Sequence, residues 1–66
     1  MRTIEETIEL INSNVKGAFA YENEDGNIEV TVRGKKSDKV VIEDNEVTFK
    51  GNCASTASEI ENLINA

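Results

Sequence analysis

The hydrophobic period of this chain changes twice, from helical to extended near Gly17 and back to helical after Gly51, and that double switch narrows the fold more than any other feature. Ile4, Ile8, Ile11 and Val15 recur at three- and four-residue spacing, which lays one apolar stripe along a helix over residues 3–14. The next segments repeat every two residues. Ile28, Val30 and Val32 alternate with Glu29, Thr31 and Arg33, Val40 and Ile42 flank Val41, and Val47 and Phe49 flank Thr48. A period of two sends alternate side chains to opposite faces of a strand, so these runs cannot continue the helix. From residue 53 the helical spacing returns, with Cys53, Ala57, Ile60 and Ile64 on one stripe.

Local signals punctuate the same boundaries. Thr3 and Glu6 form a T-x-x-E capping box, in which each side chain satisfies a backbone amide of the first turn. Asn14 and Gly17 are stop signals for that helix. Asp25-Gly26, within residues 24–27, marks a hairpin turn. GKKSD (residues 34–38) reads as a polar turn, Asp44-Asn45 as a tight one, and Gly51-Asn52 ends the extended block. The second helix covers residues 53–66. Asn52 or Ser55 is its expected cap, and Thr56 with Glu59 offers a second box. In the first strand the large side chains Phe19 and Tyr21 are expected inward, with Ala18, Ala20 and Glu22 on the other side.

The element order is α-β-β-β-β-α. Short connections favour neighbouring antiparallel strands, and a sheet with one apolar face covers that face with both amphipathic helices. The expected fold is therefore α+β: a four-stranded antiparallel meander with two helices on one face, a two-layer sandwich. Its open face should carry Ala18, Ala20, Glu29, Thr31, Arg33, Val41, Glu43, Thr48 and Lys50.

A chain of 66 residues has room for one domain, residues 1–66, and one thin core. Cys53 is the single cysteine, so no internal disulfide supports that core, and self-association through the open sheet face or an edge strand is the remaining aid. No apolar run approaches membrane-spanning length, and no charged-then-apolar leader precedes the first helix. With one unpaired cysteine this leads to a cytoplasmic expectation.

Catalytic chemistry finds little footing. The chain has no histidine, which removes Ser-His-Asp and Cys-His arrangements and the commonest zinc ligand sets. Cys53 stands at a helix start, where a thiol can be activated, yet no base lies near it in sequence, and it is read as a packed small side chain. NEDGN (residues 23–27) lacks the spaced ligands and terminal Glu of a calcium loop. Gly26 and Gly34 belong to no phosphate-cradling motif. No enzyme activity, cofactor or metal is expected.

Charge layout is more informative. The net charge is −6, from 13 acidic and 7 basic residues, which opposes a general affinity for nucleic acid or anionic lipid. In a meander the first and third turns share one end of the sheet. Glu22, Glu24 and Asp25 should therefore join Glu43, Asp44 and Glu46 in an acidic rim. The opposite end should gather Arg33, Lys35, Lys36 and Lys39, with Lys16 and Lys50 beside them.

A short acidic chain with the T-x-x-E helix start, the acidic turns NEDGN and EDNE and the terminal helix SEIENLINA resembles small phage-encoded inhibitors of the anti-CRISPR and anti-restriction type. That resemblance implies a non-enzymatic phage or mobile-element protein. Its acidic rim would dock, as a partial DNA mimic, on a basic groove of a host nucleic-acid-binding defence protein. RGKKSDK departs from a uniformly phosphate-like surface. Four strands followed by a C-terminal helix are also similar to the transcriptional-coactivator type of single-stranded DNA binder. In that reading Arg33, Lys35, Lys36, Lys39 and Lys50 and the open sheet face track a nucleic-acid backbone, without an exposed aromatic platform.

Overall fold

The computed structural model describes residues 3–65. Their order is α1 (Ile4–Asn14), β1 (Ala18–Glu22), β2 (Ile28–Val32), β3 (Lys35–Glu43), β4 (Glu46–Lys50) and α2 (Ala54–Ile64). The strands form one antiparallel sheet in the order β1-β2-β3-β4, and both helices pack on one face of it. The α+β meander read from the periodicity is the observed fold.

The core is a single cluster. Ile11 of α1 and its C-cap Val15, Ile28, Val30 and Val32 of β2, Val40 and Ile42 of β3, and Ala57, Ile60 and Ile64 of α2 are all buried, and Cys53 closes the layer. α1 starts as expected. Thr3 is its N-cap, and the capping box is complete: Glu6 N–H donates to Thr3 Oγ1 and Thr3 N–H to Glu6 Oε1, both at 3.1 Å. α2 starts differently. Cys53 is its N-cap and provides no side-chain capping bond, so neither Asn52, Ser55 nor the Thr56–Glu59 box caps it. Instead the Asp38 carboxylate, reaching over from β3, accepts from the Asn52 N–H at 3.0 Å. The expected last residue of this helix, Ala66, lies outside the described residues.

Two expectations fail in the sheet. Phe19 and Tyr21 point outward while Ala18 and Ala20 point inward, reversing β1. Ala20 is 2% exposed and Phe19 is 61% exposed. The cause is α1, which lies close over β1. Asn12 reaches the strand backbone, donating to Ala20 C=O at 3.3 Å and accepting from Ala20 N–H at 2.8 Å. A methyl group fits beneath so close a helix and an aromatic ring does not.

The second turn is also shorter than expected. It is the pair Arg33-Gly34, both at positive φ (55° and 69°), the two-residue hairpin geometry whose twist suits flanking strands. β3 therefore begins at Lys35, and residues 36–38 form a bulge where the register shifts between Thr31 and Val32. Arg33 thus belongs to a turn, not to the open face.

Candidate functional site

Strand order brings the six expected acidic residues to one end. Glu22, Glu24 and Asp25 flank or occupy the turn between β1 and β2, and Glu43, Asp44 and Glu46 surround the turn between β3 and β4. All six are exposed. Both turns are held by local chemistry that leaves these carboxylates free of structural duty. Asn23 organises the first: its Oδ1 accepts from Asp25 N–H at 3.0 Å and Asn27 N–H at 2.9 Å, and its backbone N–H donates to Asn27 C=O at 2.8 Å. The other turn is again a two-residue pair at positive φ, Asp44 (49°) and Asn45 (68°).

The start of α1 completes this end. Thr3, Ile4 and Thr7 share a cavity of about 210 Å³ with Gly26, Asn27, Asp44 and Asn45, floored by Ile28 and Ile42. The first turn of α1 thus stands beside the two acidic turns, a neighbour that strand order alone does not announce; its Glu5 and Glu6 do not line the notch, and Glu6 is bonded to Thr3. The combination is an apolar-floored notch with Asp44 on its rim, between the two acidic turns.

The opposite end is basic and differently built. Arg33, Lys35 and Lys36 lie in and after the second turn, Lys16 precedes β1, and Lys50 ends β4. Arg33 N–H donates to Gly17 C=O at 2.7 Å, which draws the Lys16 segment to this turn. Lys39, expected in the basic set, is largely compensated. Its Nζ lies 3.0 Å from Glu29 Oε1, the one ion pair among the described residues.

Glu29 is the hub of the open face. Besides Lys39, it accepts from Asn23 Nδ2 and from the Tyr21 hydroxyl, both at 3.0 Å. Bonds from Asn23, Lys39 and Tyr21 hold its carboxyl below the ordinary carboxylate value. The same bonds raise the Lys39 ammonium and the Tyr21 hydroxyl, since each favours the protonated form beside a carboxylate. Two cross-strand rows follow from the register: Phe19, Thr31, Lys39 and Lys50, then Tyr21, Glu29, Val41 and Thr48. The rings of Phe19 and Tyr21 lie 5.9 Å apart, tilted by 31°. An aromatic pair thus stands on the face where none was expected, and of the strip expected there Ala20 is buried and Ala18 partly buried beneath α1 instead.

Cys53 is buried at 2% exposure, and its thiol donates to Lys50 C=O at 3.1 Å. It ties β4 to α2. Among the described residues no three Cys, Asp or Glu side chains converge as a metal site, and no helix is long and apolar enough to cross a membrane.

No protein-family model, curated protein or solved structure matches the chain, so its function is argued from this geometry.

Proposed function

We propose that the chain is a non-enzymatic inhibitor that docks its acidic end on a basic groove, one that normally holds nucleic-acid phosphates in a host defence protein. The observation that carries this is the convergence of both acidic turns and the first turn of α1 around the apolar-floored notch. Such a surface suits arginine or lysine. The methylene stem packs on Ile4, Ile28 and Ile42, while the cationic head meets Asp44 and its neighbours. A five-residue strand separates the two ends by roughly 17 Å, about two screening lengths at physiological salt, so a partner at the acidic end meets little of the basic field.

The test is competition. The chain should release DNA from a purified restriction or RNA-guided nuclease and slow its cleavage, with the effect fading as salt rises. Reversing charge at Glu24, Asp25, Asp44 and Glu46 together should abolish release while the circular dichroism spectrum stays native. Undiminished inhibition by that variant removes the proposal.

A second reading is favoured by Phe19. An exposed ring at one end of the cross-strand row that leads through Thr31 and Lys39 to Lys50 offers a stacking platform on a face that also carries cations, the combination used by single-strand binders. Filter binding of single-stranded DNA at low salt tests it: F19A should weaken retention by roughly tenfold. No retention by the native chain disposes of this reading.

A further inference from the structure

The two edges of the sheet are not equivalent. β1 is closed at its centre, because Asn12 takes both outward backbone groups of Ala20. β4 has no such cover. The turn at Asp44-Asn45 closes on the pair Glu43 and Glu46, so the backbone groups of Glu46, Thr48 and Lys50 face β3. Those of Val47 and Phe49 face outward, and among the described residues no other element bonds them. The strand has no proline and no bulge, and its Phe49 is 47% exposed. Such an edge is a template for another strand.

We infer that this edge pairs with β4 of a second copy of the chain, antiparallel about a two-fold axis at Thr48. The sequence EVTFK is self-complementary in that register. Glu46 faces the second copy's Lys50, Val47 faces its Phe49, and Thr48 faces its Thr48. Each charge meets its opposite and each apolar side chain meets an apolar one, on matching faces of the sheet. All four outward groups of Val47 and Phe49 then gain partners. The second copy's Phe49 enters the groove lined by Val47, Phe49, Ala54, Ala57, Ser58 and Glu61, a cavity of about 180 Å³.

The helices permit this. α2 packs on β4, yet Phe49, on the helix-covered side of the sheet, is 47% exposed, so the helix leaves part of the edge strand uncovered. One short strand and one ring per copy bury less than the roughly 1,200 Å² of standard complexes, so the dimer is weak and concentration-dependent.

Sedimentation velocity across micromolar to millimolar protein tests this with four samples. The native chain should shift from monomer to dimer. V47P removes an outward N–H and leaves the bonds to β3 intact, so it should abolish the shift. K50E sets glutamates opposite one another and should weaken association by roughly tenfold. Mixing K50E with E46K restores opposite charges at both pairs and should restore the dimer. A native chain that stays monomeric throughout overturns the inference. A dimer indifferent to V47P, or a mixture no better than K50E alone, overturns it as well.

Discussion

The two ends of the sheet are built by opposite means. At the acidic end, neutral side chains hold the backbone: Asn23 bonds two amides of the first turn, and Thr3 opens α1. The carboxylates of the two turns are left to solvent or to a partner, while Glu6 completes the capping box with Thr3. At the basic end an acid does the holding. Asp38 caps the entry to α2 through the Asn52 N–H, and Gly51 passes so close to Asp38 and Ser37 that no side chain fits between them. The positive potential of that end is therefore diluted by a carboxylate it needs for its own shape, as Lys39 is by Glu29. A chain organised this way presents its acidic end as the cleaner electrostatic surface.

The sharpest way to break the contrast is Gly51→Ala. Gly51 sits at φ 87°, and an added methyl would overlap the Asp38 carboxylate and the Ser37 carbonyl, one of them backbone. Strain and displacement together should cost about 3 kcal/mol, close to the whole stability expected of a chain this small. Thermal unfolding followed by circular dichroism should show the midpoint falling steeply toward room temperature. At the other end Asn23→Ala removes the acceptor for two turn amides and a donor to Glu29, and should cost about 2 kcal/mol. Denaturant titration measures it. A larger loss for Asn23→Ala than for Gly51→Ala would mean that side-chain bonding outweighs backbone contact in this fold.

Much of this was legible from residue pattern alone, for reasons tied to particular positions. Ile28-x-Val30-x-Val32 alternates apolar with polar, so its face was determined. In AFAYE (residues 18–22) both parities are apolar, and size was the sole guide. Size misled, because the depth available under α1 decides which set turns inward, and that depth depends on Asn12 touching Ala20. The acidic rim needed only strand order, so it could be read; the contribution of α1 needed the helix direction over the sheet. The Asp38 staple joins residues fourteen apart through a bulge that no local signal announces. Arg33 at positive φ likewise departs from ordinary residue preference, which is why the second turn was placed too late in the chain.

The smallest expected effect concerns the cluster that lies between the two ends. Glu29 has a lowered pKa in the fold, so its contribution is fully present above the ordinary carboxylate value and is lost as pH falls through the lower folded one. Lys39 and Tyr21 have raised values, so theirs are present below their ordinary pKa values and lost as pH rises through the folded ones. The cluster therefore supports the fold across the neutral range and fails at both extremes. Glu29→Gln keeps the shape and removes the charge. The stability difference between native chain and variant should be constant near neutrality, shrink below the ordinary carboxylate range, and shrink again above the range where lysine and tyrosine titrate. Every other carboxylate is common to both chains, so the difference isolates Glu29. A difference that grows on acidification would mean that Glu29 is repelled by the acidic end more than it is held by Asn23, Lys39 and Tyr21.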